Sequence, residues 1–423
     1  MNITENYGPK SELLENLGSN KKSEKSEEKF QITKPLSSKE KIAVISGAGI
    51  AGLAAAFELN NRGYEVIVFE KREDFTRCNI INLNREVQSF LRKFNLLEDF
   101  EKNVAARIQD HQIVNFGKEG TKILDTSNVS QLNFEGSLPK DPEKFKDFFK
   151  EDGIYSVQIK RLQTFLAEKA GERGVKLLKK ATINILKPLS GEKLSRVEIK
   201  QGESSSILNP ELIFIAEGVH STSVKQCEMS TDLVENDCSG ENWVFGNLKY
   251  SGQETFVVSV IDTSQKTLQI ANLIFNAKEK VVNLAVTSEQ NPNELEIVQL
   301  ISSVAQKVFD FKEIEEKVEV LDTVKKPVKI INRRASICSD ENVFRGGDSA
   351  GNSSPLAGLG GTLCLTLVPL SIEKLLDDRE INLEAKQLHA NFEQYTKSYV
   401  TKWIDKSQAV KKFIVNFFEN LRR

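Results

Sequence analysis

The sequence predicts an α/β protein: a parallel-sheet domain built from separated stretches of chain, a β-rich domain inserted between them, and helices at the C-terminus. Three observations predict it. The apolar run Ile42-Ala43-Val44-Ile45 leads straight into Gly47-Ala48-Gly49-Ile50-Ala51-Gly52. Far along the chain, Val343-Phe344-Arg345-Gly346-Gly347-Asp348 is followed by Pro355-Leu356-Ala357-Gly358-Leu359-Gly360. Between them, residues 240 to 335 carry several runs of strand composition bounded by turn residues.

The first segment has the order strand, G-x-G-x-x-G, helix that a dinucleotide fingerprint requires. Residues 41 to 46 read as a buried parallel strand, and residues 51 to 61 as a helix of good helix formers. Gly47 permits the tight turn, Gly49 lets a pyrophosphate approach the backbone, and Gly52 lets helix and strand pack closely. Ala51 lies in the same turn, and the helix N-terminus offers its free N–H groups to phosphate. A second strand, Glu65 to Phe69, ends on Glu70, where such folds place the acid that holds a ribose 2′-hydroxyl.

The second segment reads as a short strand ending on Asp348, a small polar loop, and then a helix over the apolar run Thr362 to Leu367. Asp348 can accept hydrogen bonds from sugar or ribityl hydroxyls. The N–H groups after Pro355, Gly358 and Gly360 can face a pyrophosphate or a ring carbonyl. Two such motifs in this order point to one dinucleotide held at both ends, FAD, in a Rossmann-like domain that is discontinuous in sequence.

On these residues the chain resembles the FAD-dependent monooxygenases of the p-hydroxybenzoate hydroxylase type. Their second motif, G-D-A-A-H-x-x-x-P-x-x-G-x-G, is matched by Gly347, Asp348, Ala350, Pro355, Gly358 and Gly360, with Gly351 at the histidine position. Their A-D-G-x-x-S motif is approximated by Ala216-Glu217-Gly218-Val219-His220-Ser221, with Glu217 in place of the aspartate. The stretch Glu70-Lys71-Arg72-Glu73-Asp74-Phe75-Thr76-Arg77-Cys78-Asn79 is similar to the E-K-R-x-x-F-x-R-x-N run of the MICAL branch, and Ser156 to Gln163 is similar to a helix start in that branch. The resemblance implies that Glu70, Lys71, Arg72, Arg77, Asn79 and Gln163 line FAD. It spans roughly residues 41 to 400 and does not carry over the MICAL substrate.

At 423 residues the chain exceeds one simple core. The expected division is a disordered tail over 1–40, a first FAD-binding part over 41–235 with an insertion or loop at 117–150, a β-rich substrate domain over 236–335, a second FAD-binding part over 336–380, and C-terminal helices over 381–423. Residues 155 to 174 read as one helix. Residues 175 to 186, 194 to 200 and 211 to 216 read as strand pieces, and 293 to 311 as a helix.

With 58 basic against 60 acidic residues, the charge gives no support for a nucleic-acid partner. Five scattered cysteines read as reduced thiols of a cytoplasmic protein, and His111, His220 and His389 form no metal motif. No apolar run is long enough to span a membrane, and the N-terminus lacks a signal-peptide core. The apolar and basic stretch from Trp403 to Phe418 fits a packed terminal helix, or one in peripheral contact with a membrane surface.

The resemblance implies hydroxylation of a small organic substrate, with NAD(P)H as transient reductant of FAD and O2 as oxygen donor. The chemistry is largely the cofactor's, so no catalytic acid, base or nucleophile is assigned. A flavin oxidoreductase without oxygen insertion and a non-catalytic FAD-binding adaptor remain open. The W-x-W-x-I-P motif of tryptophan halogenases does not occur, because Trp243 and Trp403 lie far apart.

Overall fold

A computed structural model describes residues 41–117, 120–124, 154–227, 229, 231–233, 242–262, 269–288, 292–311, 320–323, 328–329, 333–335, 338–339, 341–350, 360–381, 383–394 and 396. The principal elements of the first half are β1 (Ile42–Ser46), α1 (Ile50–Asn61), β2 (Glu65–Glu70), β3 (Ile80–Leu83), α2 (Val87–Lys93), α3 (Leu97–Asn103), β4 (Asp110–Gly117), β5 (Gly120–Leu124), β6 (Tyr155–Gln158), α4 (Ile159–Glu172), β7 (Lys176–Lys179), β8 (Ala181–Leu186), β9 (Arg196–Gln201), β10 (Ser204–Leu208), β11 (Leu212–Ile215) and α5 (Thr222–Gln226). The second half adds β12 (Asn242–Lys249), β13 (Phe256–Asp262), β14 (Gln269–Asn276), β15 (Val281–Ser288), α6 (Glu294–Phe311), β16 (Val320–Thr323), β17 (Val343–Arg345) and α7 (Gly360–Glu380).

β17, β11, β1, β2 and β7 pair in that order, all parallel, with Cys338–Ser339 added antiparallel at one edge. β1 and β11 are buried along their whole length, which explains their unbroken apolar composition. One face of this sheet packs against α1, α4 and α7. Ala54, Ala55 and Ala56 of α1 are fully buried there, and their small size lets α1 lie close to its neighbours. The other face is covered by the antiparallel β8–β9–β10 sheet, through Ala181, Ile183, Val197, Ile199 and Leu208. The architecture is therefore the expected α/β, Rossmann-like one, with a β layer where a doubly wound fold has helices.

The second large sheet runs β16–β12–β15–β14–β13–β4–β5. One of its faces is an apolar core closed by Ile297, Ile301, Val304 and Ala305 of α6. β4 and β5, which sequence reading placed in the first FAD-binding part and the 117–150 insertion, belong to this sheet, β4 pairing parallel with β13.

Two expectations are corrected. Residues 155–158 are not the start of a helix: Tyr155 to Gln158 pair antiparallel with Leu83 to Ile80, and the helix begins at Ile159. Residues 175–186 form two strands, divided where Lys180 takes a left-handed conformation (φ 51°). The expected tail, Pro355, Gly358, most of the 117–150 segment and Trp403 to Phe418 lie outside the described residues.

Candidate functional site

Every motif singled out in the sequence, where described, lies at the carboxyl edge of the parallel sheet. β1 ends on Ser46 and runs into Gly47, β2 ends on Glu70, β11 runs into Ala216 and Glu217, and β17 runs through Gly346 to Asp348. This edge is where open parallel sheets bind ligands.

The turn after β1 is held from several sides. Gly47 has φ +102°, and a Cβ there would stand 2.6 Å from the Ala216 carbonyl oxygen. A Cβ on Gly52 would stand 1.9 Å from the Gly47 carbonyl oxygen, so close packing alone requires this glycine. Gly49 differs: the nearest atom to its Cβ position is Ala216 O, at 3.9 Å. No described protein atom excludes a side chain at Gly49, which suits a group approaching from outside. The Ala48 peptide is clamped at both ends, its N–H donating to Glu70 Oε2 (3.1 Å) and its carbonyl accepting from Gln163 Nε2 (3.2 Å). α1 starts at Gly49 with no side-chain cap and no acid in its first turn, so its leading N–H groups suit an anion.

Glu70 is buried, and its Oε1 accepts from the Arg72 backbone N–H (3.0 Å). Each carboxylate oxygen keeps a further lone pair, which fits a ribose hydroxyl. The Lys71 and Arg72 side chains are exposed beside it.

The Asp348 loop docks on the glycine turn. Gly347 has φ +63°, and a Cβ on it would stand 2.5 Å from Ala51 Cβ. Ser349 Oγ pins the loop to the sheet by donating to the carbonyls of Ile215 (3.0 Å) and Gly346 (2.7 Å). Burial pushes the Asp348 carboxyl above its ordinary range, against the opposing pull of the Arg77 charge. Burial likewise raises the neighbouring Cys364 thiol, a residue that sequence reading did not single out.

Arg77 and Asn79 are placed by the start of α4, where the Lys160 and Ile159 N–H groups donate to the Arg77 and Asn79 carbonyls (2.8 and 2.9 Å). β3 then meets the N-terminus of α7. The Asn84 N–H donates to Thr362 Oγ1 (3.0 Å), and a Cβ on Gly361 would strike Ile81 and Leu83. Gly360 opens α7 with no atom within 4 Å of its Cβ position, and Pro355 and Gly358 lie outside the described residues.

Glu217 is accommodated by turning back into the protein. Its carboxylate accepts from Ser46 Oγ, Ser221 Oγ (2.7 Å), the Ser223 N–H (3.1 Å) and Ser223 Oγ. Burial alone would raise this carboxyl, but the serine hydrogen bonds outweigh it and hold it below the ordinary glutamate range. Glu217 therefore ties the 216–223 loop to the end of β1, beside the glycine turn.

The second sheet is latched to the segments around α3, β6 and α4. Lys278 Nζ donates to the carbonyls of Glu101, Lys102 and Ala105 at the end of α3 (3.2, 2.8 and 2.9 Å). Buried Asn276 Nδ2 donates to Ser156 Oγ (2.9 Å), and Arg161 pairs with Glu279 (3.0 Å). No described helix is long and apolar enough to cross a membrane, and no described cluster could hold a metal ion.

Residues 45–92 match the model of an NAD(P)-binding Rossmann-like domain. No curated protein sequence matches the chain. Solved structures do. p-Nitrophenol 4-monooxygenase from Pseudomonas putida DLL-E4 superposes with a TM-score of 0.66 at 14% identity, covering 88% of each chain. A flavin-dependent brominase gives 0.65 at 14% identity over 86% of each chain. A tetrameric 2-methyl-3-hydroxypyridine-5-carboxylic acid oxygenase gives 0.64 at 13% identity, covering 89% of this chain and 92% of that one. The chain thus has the fold of flavin-dependent monooxygenases and halogenases.

Proposed function

We propose that this protein is an FAD-dependent monooxygenase that uses NAD(P)H and O2 to hydroxylate a small organic molecule. One observation carries the reading: the two distant glycine motifs meet, with the Asp348 loop seated on Ala51 of the first turn. One extended dinucleotide can touch both, and the donor set fits it. Glu70 would hold the adenosine ribose, with Lys71 and Arg72 flanking the adenosine end. Gly47, Gly49, Ala51 and Gly52 would admit the pyrophosphate to the first turn of α1, and Gln163 would keep the Ala48 peptide in place. Asp348 would accept ribityl hydroxyls, with Arg77 and Asn79 on the flavin side and Pro355, Gly358 and Gly360 leading the α7 N-terminus to the ring. The Glu70-to-Asn79 run, similar to the MICAL branch, supports this order along the cofactor.

Bound FAD supplies hydride acceptance from the nicotinamide and activation of oxygen. The chain binds it, orients it and excludes water by placing a second sheet over the flavin end. The near-balanced charge supports a small-molecule substrate rather than a nucleic acid, and the cysteine pattern supports a cytoplasmic setting.

Purified protein incubated with FAD and desalted should remain yellow, and NADPH or NADH should bleach it. Asp348→Ala should lose most bound FAD while keeping its circular dichroism. A folded wild-type chain that retains no flavin sinks the proposal. Reduction without any oxygenated product from a substrate panel favours the hydride-transfer alternative. A yellow protein that neither nicotinamide reduces favours the adaptor.

A further inference from the structure

The small β8–β9–β10 sheet has two edges, and the chain treats them differently. At β8 the Ile185 N–H donates to Gln226 Oε1 of α5 (3.3 Å), and Gln226 Nε2 donates to Asn184 Oδ1 (3.1 Å). A side chain from a neighbouring helix thus occupies that edge. The β7 edge of the parallel sheet instead carries Lys176 and Lys179, charges of the kind that keep an edge from pairing. β10 has neither device. Among the described residues no strand pairs with its outer side, and Ser204 to Ile207 are exposed. The strand Ser204-Ser205-Ser206-Ile207-Leu208 holds no charge and no proline. Ile207 is 58% exposed, and Leu189 (51%) and Leu194 (41%) stand out on the β8–β9 loop at the same end of this sheet. Of the six large apolar side chains exposed among the described residues, these three share one small sheet, which marks it as a contact surface.

An unguarded edge is a template for another strand, and the pattern of this one fits a second copy of itself. A two-fold axis at Ser206 sets Ser205 opposite Ile207 of the second copy, and Ser204 opposite its Leu208, so no like charges meet. In that register the two Ile207 side chains are diagonal neighbours, about 7–8 Å apart, and cover each other. The Glu203 turn comes to Asn209 of the second copy, which continues the row of that copy's Arg196. Arg196 Nε stands 3.9 Å from Glu192, a loose pair that leaves the guanidinium able to meet an incoming carboxylate. The symmetry repeats this opposite-charge approach at both ends of the strand pair. We infer that β10 pairs antiparallel with β10 of a second copy, joining two three-stranded sheets into one across a two-fold axis. The contact is small, so the dimer is reversible, with a dissociation constant of about 1–100 µM. The inference goes beyond the flavin reading and does not depend on it.

The test uses the full chain. Sedimentation velocity between about 1 and 200 µM should show the mass double. Ile207→Lys puts a charge on the bare edge and should raise the dissociation constant at least about tenfold, with circular dichroism and melting temperature unchanged. Glu203→Lys sets like charges beside Arg196 of the second copy and should weaken the dimer about threefold. Cysteine substitution reads the register. Ser206→Cys places two thiols across the axis, with Cα atoms about 4.5–5.5 Å apart, and mild oxidation should link the copies on a non-reducing gel. Ser204→Cys lies four residues out of step with its mate, about 14 Å away, and should not link them. A monomer at every concentration, a dimer untouched by Ile207→Lys, or equal linking by the two cysteine variants each overturns the proposal. Should Ile207→Lys fail to fold, the Glu203 and cysteine variants decide it alone.

Discussion

Glu217→Ala is the perturbation that best separates a scaffold acid from a cofactor ligand. The carboxylate accepts from four close donors: the hydroxyls of Ser46, Ser221 and Ser223, and the Ser223 N–H. Hydrogen bonds to a charged acceptor contribute about 1.5–3 kcal/mol each, but a plain sum overstates the loss, because three of the donors are hydroxyls that can rotate toward other partners. The Ser223 N–H cannot, and leaving it unmet costs about 1–3 kcal/mol. Adding the lost tie between β1 and α5, the expected destabilisation is about 3 kcal/mol, a large part of the ~5–15 kcal/mol typical of a folded domain. Glu217→Asp, one methylene shorter, cannot span Ser46 and Ser223 together and should lose about 1–2 kcal/mol. The assay is urea unfolding followed by circular dichroism, beside flavin retention after desalting. Because the carboxyl titrates below its ordinary range when folded, the unfolded chain binds more protons through that interval. Its stabilisation is complete above the ordinary glutamate value of about 4.3 and disappears as the pH falls through the folded value. Glu217→Gln should therefore be less stable than wild type at neutral pH, and the gap should close in acid. A stable Glu217→Ala protein that loses all flavin would refute the scaffold assignment and make Glu217 a direct ligand.

Three further outcomes follow from the same geometry. Gly49→Ala should keep its melting temperature within about 2 °C yet retain little FAD, whereas Gly52→Ala, with a Cβ 1.9 Å from a backbone oxygen, should fold poorly with or without the cofactor. Lys93→Met should cost about 3 kcal/mol in urea unfolding, because it strips fully buried Glu58 of its 2.8 Å partner and leaves Arg62 at 3.7 Å, and the double variant with Glu58→Leu should recover most of that loss. Lys278→Met leaves the carbonyls of Glu101, Lys102 and Ala105 without their cation, and should lower the melting temperature and speed FAD release, both measured on the loaded protein.

The parts legible in the sequence are those where local pattern and tertiary role coincide. β1 is an unbroken apolar run because both its faces are covered, and Gly47 and Gly52 after it are fixed by distances to neighbouring backbone. Both facts leave a mark within a short window, as does the acid at the end of β2. β6 looks helical in the sequence because Tyr155 to Gln158 abut a strongly helical stretch, and only pairing with β3, far away in the chain, makes them a strand. The sheet of β4 and β5 is not legible for a similar reason: β5 pairs with β4, whose other partner β13 lies well over a hundred residues downstream, and nothing local says which sheet they join.

Glu217 is the most instructive departure. Against a family motif it looks like a substitution to be excused by its length. In the structure the length has a use, since the added methylene lets one carboxylate bridge the end of β1 and the first turn of α5. The serines that receive it, Ser46, Ser221 and Ser223, are individually unremarkable in sequence. They become a site only because β1 and β11 are neighbours in a parallel sheet, with their carboxyl ends on one edge. With β17 paired to the far side of β11, the same order brings Gly347 against Ala51. What the order of strands β17, β11, β1 and β2 does is gather four separate short motifs along one edge, the edge where open parallel sheets bind ligands.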